Sequence, residues 1–480
     1  MDTNIWIDAH RQKFCDLADQ IWQFAEIRFQ ENQSAGLLAD TLQAEGFTVE
    51  RGIADIPTAF VASYGAGKPV IAILGEYDAL PGLSQDRTCY KKPLIAGGNG
   101  HGCGHNLLGV GSLLATLAVQ QAIQSGVVQG SVRYYGCPAE ESGAGKAFMV
   151  QAGAFDGVDL ALTWHPGSFN ATVSINMLAR LMMFFKFHGK AAHAAADPYN
   201  GRSALDAVEL MNIGVNYLRE HMLPDARIHY VITNGGDVPN VVPAEAESWY
   251  NIRAPKLHQV QELYARVVNV AKGAALMTGT ELEIDFHSGV SNLLLNDTIN
   301  QVLHAQMQRI GAPQFGTDDN QFAGELAKTF PKGSGEMFAR LLGAEGGKLI
   351  AAFKDNPLAP QILPLFKSSV TMPGSTDVGD VSWVTPTGQI QATCQAFGTP
   401  AHSWQLVAQS GMSIGHKGML FAGKVLAATA LEFMTRSELL ERARTEFKNQ
   451  IQAMPYQSPI PDGVRPPIHR QASAREFATG

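Results

Sequence analysis

The chain has 480 residues, 45% of them hydrophobic and 17% charged, and its 44 acidic against 36 basic side chains give a net charge of −8. That is apolar enough for two or three domains with sizeable cores, and it excludes disorder as the default. The acidic balance argues against a nucleic-acid surface or an anionic membrane as partner.

The start of the chain has no basic segment followed by an apolar run, so no secretory signal is expected. No run of about 18 consecutive apolar residues occurs, so no membrane span is expected either. Cys15, Cys89, Cys103, Cys137 and Cys394 are scattered and odd in number, unlike a disulfide framework. A reducing cytoplasm is the expected location.

In chain order, residues 4–30 carry apolar side chains at helical spacing. Ser34 reads as the N-cap of a second helix that ends at Gly46. Short strands are predicted at Phe47–Glu50 and Thr58–Tyr64. Val70–Gly75 is a continuous apolar run of strand length, as buried parallel strands are. It delivers Glu76 and Asp78 to a strand end, where open α/β sheets place their sites, although either carboxylate could simply cap a turn. His101-Gly-Cys103-Gly-His105-Asn106 follows, with three candidate metal ligands in five residues and glycines that permit tight turns. The competing reading is a glycine-rich turn with incidental histidines.

Leu107–Ser125 reads as a buried helix and Val128–Gly136 as a strand leading to Glu140-Glu141. That pair is either a solvated turn or a metal ligand beside a proton-handling carboxylate. A strand over Asp159–Thr163 leads to His165, read equally as a core histidine or a ligand. From about residue 180 the order strand (Leu181–Phe187), helix (Ser203–Arg219), two strands (Ile228–Thr233, Ala246–Arg253), helix (Gln259–Thr278) and strand (Glu281–His287) is ferredoxin-like. A helix over 296–312, an insertion over 313–370, a polar turn at 373–381, a strand at Gln391–Phe397 and a helix at His416–Glu432 complete the chain. The tail from Pro455 is expected to be poorly packed at its end.

The ordered series His101–Asn106, Glu140-Glu141, His165-Pro166, Ala192-His193-Ala194 and His402 resembles the di-metal amidohydrolases of the aminoacylase/carboxypeptidase metallopeptidase family. It is most similar to the branch of hippurate and auxin-conjugate hydrolases, in which a cysteine replaces a bridging aspartate. The likeness runs over almost the whole chain. It implies an α/β catalytic domain with a mixed, mostly parallel sheet and helices on both faces, in two parts over 1–179 and 291–480. A ferredoxin-like α+β lid and dimerisation domain would be inserted over 180–290.

The resemblance also implies roles. Cys103 would bridge two divalent ions, Mn²⁺ or Zn²⁺, with His105 and His165 completing one site and Glu141 and His402 the other. Glu140 would be general base toward the attacking water and later proton donor to the leaving amine, with Asp78 supporting the catalytic site from behind the ligands. His193 would reach across a dimer interface to the oxyanion, and Asn240 and Arg253 would bind the substrate carboxylate. On the residues alone, His193 reads as structural and Arg253 as a surface charge. Glu76 departs from the branch's Asp-x-Asp pattern, and Asn106 stands where many relatives have Asp.

The expected activity is metal-dependent cleavage of an N-acyl amino acid, preferably an aroyl-glutamate such as p-aminobenzoyl-glutamate. A broader acyl-amino-acid or dipeptide hydrolase is the alternative. Two readings belong to other classes: a catalytically weak member of a heteromeric hydrolase, and a zinc-stabilised structural protein. The former would lack Glu140 or a ligand, and the latter would cluster its Cys and His in pairs. The assembly is expected to be a homodimer, or a heterodimer with a related chain.

Overall fold

The computed structural model describes residues 3–336, 348, 351–353, 356–358, 360–365 and 371–469. Two sheets organise it. The larger contains β1 (Thr48–Arg51), β2 (Phe60–Ala66), β3 (Val70–Glu76), β4 (Gly130–Cys137), β5 (Leu160–Gly167), β6 (Ala171–Thr172) and β11 (Thr387–Thr393), in the order β1-β2-β4-β3-β5-β11-β6. The four central strands β4, β3, β5 and β11 are parallel, and the outer pairings are antiparallel.

β3 is buried along its whole length, which is why it is apolar rather than alternating. Its pleat still divides two cores. Ile71 and Ile73 join one core with the helices Arg11–Phe24, His105–Gln124 and Ser413–Thr435, while Ala72 and Leu74 join Phe148, Met149 and Val381 on the opposite face. Helices therefore cover both faces. His105–Gln124 and Ser413–Thr435 are long and apolar enough to cross a membrane, but both are mostly buried in this chain and pack on each other.

The smaller sheet is built from the continuous stretch 179–290. Its strands β7 (Ala179–His188), β8 (Arg227–Asn234), β9 (Glu245–Ala254) and β10 (Glu281–Val290) are all antiparallel, in the order β10-β7-β9-β8. With the helices Ala204–Leu218 and Leu257–Thr278 this is the ferredoxin-like arrangement. Ser203 caps the first helix by accepting a hydrogen bond from the Asp206 amide at 3.1 Å. β8 is an edge strand, and its Val231 and Ile232 are 55% and 46% exposed.

Local expectations differ at three places. The second helix begins at Asn32, and Ser34 is buried inside it. The Glu26 carboxylate does the capping, accepting from the amides of Gln33 and Ser34 at 2.9 Å each. The strand expected at Gln391–Phe397 is shifted upstream to Thr387–Thr393. Its polar first turn concealed it, and pairing with Ala161–Gly167 of β5 fixes it. A helix at Ser437–Ala453 was not anticipated. The start of the tail is docked: Ile460 is buried, and the Tyr456 hydroxyl donates to Asp380 at 3.0 Å. Within the expected insertion, Thr317–Ala327 is helical, and much of the rest falls outside the described residues, as do residues 470–480.

Candidate metal centre

The parallel strands end on one side of the sheet, and the predicted ligands gather there. β3 ends in Glu76 and is followed by Asp78, β4 leads into Glu140-Glu141, and β5 carries His165 near its end. Gly104 turns the chain into the helix that starts at His105. Its φ of +77° is a left-handed conformation, and a Cβ there would stand 3.0 Å from Pro166. Gly109 lets that helix approach the end of β3, where a Cβ would lie 2.7 Å from the Glu76 carbonyl oxygen.

Backbone strain marks the same place. Ala139, Ser142, Ala144 and His402 all have positive φ, between 51° and 71°, although none is glycine. Such conformations persist where surrounding structure imposes them, and they concentrate at functional sites.

Cys103 is the common member of two clusters. With His105 and His165 it forms one, and with Glu141 and His402 the other, the candidate ligand atoms of each lying within 4.8 Å of one another. The Cys103 Sγ is 3.3 Å from the His165 Nε2, and the His402 Nε2 is 3.2 Å from the Glu141 Oε1. The ring nitrogens are set by outer partners. His165 Nδ1 donates to the Pro166 carbonyl at 2.7 Å, and His105 Nδ1 donates to Asp78 Oδ1 at 2.8 Å. Both rings thereby turn Nε2 toward the cluster, where a cation can take the place of a proton.

Asp78 does more than hold one ring. Its second oxygen accepts from the Glu141 amide at 2.8 Å, so one buried carboxylate positions ligands of both clusters. Asp78→Asn is expected to weaken metal binding about 10- to 100-fold with the fold retained, measured by competition with a chelator.

The electrostatics suit cations. Burial would raise the Cys103 thiol, but His165 and His105 beside it bring it down to about 5, so it is a thiolate at neutral pH. Burial likewise opposes ionisation of Glu141, yet His402 holds it down to about 2. Glu140 is pushed well above the ordinary carboxylate range by burial and by the neighbouring carboxylates of Glu76, Glu141 and Asp377. Adjacent glutamates thus differ widely in proton affinity, which suits one to proton handling and the other to a cation.

The residues fit a pair of metal ions. Glu76 Oε2, His105 Nε2 and Glu141 Oε1 are all buried without a hydrogen-bond partner among the described residues. Buried acceptors in this state are costly unless a cation completes them. His101, first of the motif's three candidate ligands, is turned away. Its Nε2 donates to the Ile21 carbonyl at 2.9 Å, and burial lowers it to about 3, so it is a neutral structural residue.

The remaining predicted residues lie on the second sheet and its loops. His193 and Asn240 are exposed neighbours: His193 bridges Val241, and the Ala194 amide donates to the Asn240 carbonyl at 3.0 Å. Neither is a member of the Cys103 clusters. Arg253, on β9, donates to the Pro373 carbonyl at 3.2 Å. Burial and the nearby Arg180 bring its guanidinium down to about 10, with Glu140 opposing.

Pattern reading missed the fully buried Lys146. Its Nζ lies 2.6 Å from both Glu76 and Asp377. It also missed Arg180, paired across the strands with Arg253 and 7% exposed, with no hydrogen bond from its Nε among the described residues. Lys146→Met would strand two buried carboxylates. A loss of about 3–5 kcal/mol is expected in denaturant unfolding of the metal-free chain.

Comparison with known proteins places this geometry. Residues 178–276 match the model of the peptidase dimerisation domain. One of the subunits of p-aminobenzoyl-glutamate hydrolase from Escherichia coli is 46% identical over 466 residues, covering 96% of this chain and 97% of that protein. The chain belongs to the M20 family of metal-dependent peptidases and amidohydrolases. Within this family, mouse Xaa-Arg dipeptidase is 29% identical, over 93% of this chain and 91% of its own. A dinuclear metal-binding M20 peptidase from Bacillus subtilis shares the fold, with a TM-score of 0.55 at 16% identity, covering 89% of this chain and 99% of that one. The M20 chain described here is accordingly a metallo-hydrolase with a dimerisation domain.

Proposed function

We propose that this chain hydrolyses the amide bond of p-aminobenzoyl-glutamate, releasing p-aminobenzoate and glutamate. The observation that carries the reaction class is Cys103 standing in both ligand clusters with Glu140 beside them. Divalent ions held there supply Lewis acidity to the amide carbonyl and to an attacking water. Zn²⁺ and Mn²⁺ are both compatible with a thiolate, imidazole and carboxylate set.

The chain's own groups do the rest. Glu140 takes the proton from the attacking water and passes it to the leaving nitrogen. Asn240 and Arg253 receive the carboxylate of the amino acid, Arg253 by a paired hydrogen bond. Two neighbouring arginines, 180 and 253, favour a leaving amino acid with anionic groups, which supports glutamate over a cationic residue.

His193 is the proposed oxyanion donor, delivered to the other protomer of a dimer. Its Nδ1 accepts from the amides of Ala195 and Ala196 at 3.2 and 3.1 Å, so the neutral ring carries its proton on Nε2, free to donate. The exposed apolar edge at β8 supports pairing through this sheet, with a second copy or with a related chain. The relative from Escherichia coli is itself named as one subunit of its enzyme. His193→Ala is expected to lower kcat about 10²- to 10³-fold. Sedimentation should show an unchanged assembly.

A dipeptidase is the second reading, favoured by the likeness to the mouse enzyme. Steady-state kinetics on p-aminobenzoyl-glutamate, p-aminobenzoyl-lysine and an Xaa-Arg dipeptide separate the two. The proposal requires the highest kcat/KM on the aroyl-glutamate, and preference for the cationic substrates would overturn it. Five cysteines without a disulfide among the described residues suit a reducing compartment, and we place the enzyme in the cytoplasm.

A further inference from the structure

We propose that Arg180 selects a dicarboxylic amino acid, receiving the distal carboxylate of glutamate while Arg253 takes the α-carboxylate. The proposal rests on the hydrolase reading above. It assigns the substrate preference to one buried side chain.

Strand alternation places that side chain. Along β7, Ala179, Leu181 and Met183 are buried in the core that the smaller sheet shares with its two helices. Arg180 alternates with them and faces the other way. On β9, Ile252 and Ala254 join the same core, so Arg253 shares the face of Arg180 and stands directly opposite it in the antiparallel register.

This end of the sheet adjoins the metal centre. On its other side Arg180 is paired with Val290 of β10, which packs in one cluster with Ala139 and Ala144. Close by on β10, the Ser288 hydroxyl donates to the Ser142 carbonyl at 2.8 Å, in the turn that carries Glu140 and Glu141.

The guanidinium has no counter-ion of its own. Arg180 is 7% exposed, and its Nε is buried with no hydrogen-bond partner among the described residues. Burial works against its charge, and the carboxylates of Glu140, Asp377, Glu141 and Asp380 favour it from a distance. Three of these are committed elsewhere: Asp377 to Lys146 at 2.6 Å, Glu141 to His402 at 3.2 Å, and Asp380 to the Ser291 hydroxyl at 2.8 Å. Arg253 is also met by neutral groups, the Asn251 side-chain oxygen at 3.3 Å and the Pro373 carbonyl at 3.2 Å.

An arginine this deep is ordinarily paired with a carboxylate of its own chain. Two guanidinium groups set directly opposite each other also repel. A ligand with two carboxylates answers both, and glutamate carries two. An amino acid with a neutral or cationic side chain offers one carboxylate to two arginines and leaves the buried one unmet.

The test is steady-state kinetics of the metal-loaded, full-length enzyme on p-aminobenzoyl-glutamate and p-aminobenzoyl-glutamine. These differ only in a carboxylate against a carboxamide at the distal position. Wild type is expected to favour the glutamate substrate by at least about 10-fold in kcat/KM, as a charge-assisted hydrogen bond allows. Arg180→Gln should collapse that preference, with a loss of about 10- to 100-fold falling on the glutamate substrate. Arg180→Lys keeps the charge without the planar fork and should hold part of the preference. Equal losses on both substrates in Arg180→Gln would overturn the proposal, because a structural arginine, or one that tunes Glu140, serves both alike. So would a wild-type enzyme that cleaves the two equally well, a result that stands even if the variants fail to fold. Cleavage of neither substrate by wild type would instead strike the proposed reaction itself.

Discussion

Glu140→Gln should remove hydrolysis almost entirely, by about 10²- to 10⁴-fold in kcat, while both metal equivalents remain bound. The separation of the two effects follows from the backbone. Glu141 has φ −69° and ψ 94°, and Ser142 follows at φ 71°, so the two adjacent glutamates leave the chain in different directions. Glu141 meets His402, whereas Glu140 is outside both Cys103 clusters. Burial and three nearby carboxylates raise its proton affinity, and glutamine keeps the shape but cannot take a proton. Single-turnover assays with metal analysis on the same sample check this. Unchanged turnover would refute the assignment of Glu140, and loss of metal would make it a ligand instead.

Cys103→Ala should be the most damaging change to the centre, because it removes the one donor that the clusters share. Both ions are then expected to be lost at micromolar free metal, and activity falls to background. His402→Ala, by contrast, takes a ligand from the Glu141 cluster alone and should leave one equivalent in place. Serine is a poor substitute for the cysteine. The thiol is held down to about 5 by its histidines, but a hydroxyl stays protonated at neutral pH. Metal content after gel filtration measures the difference. Equal losses in the Cys103 and His402 variants would contradict a bridging cysteine.

The local patterns at strand ends left His165 and the Glu140-Glu141 pair open, and it was the family resemblance that put them with Cys103, His105 and His402, which the structure brings together. The β3 run predicts its own burial, and that fixes where Asp78 must emerge. The ordering of strands and helices between 179 and 290 was legible for a similar reason, since each element carries its own periodicity. The motif at 101–106 could not say which side chain faces inward. His101 and His105 look alike in sequence, and only the carbonyl of Ile21 and the carboxylate of Asp78 separate them.

What was hidden depends on distant partners. A lysine inside the core is legible only when its counter-charges are known, and Asp377 lies 231 residues beyond Lys146. The Glu76 carboxylate was read as a departure from a pattern, whereas the lysine gives it a fixed orientation. Capping by Glu26 was missed because the side chain that satisfies the helix lies outside the usual cap position.

The central claim is metal-dependent amide hydrolysis at the Cys103 centre. The most direct measurement is release of p-aminobenzoate from p-aminobenzoyl-glutamate by the purified chain, stripped of metal and then reloaded with Mn²⁺ or Zn²⁺. No turnover is expected in the stripped protein, and recovery should saturate at two equivalents per chain. Turnover that survives complete chelation would contradict the claim.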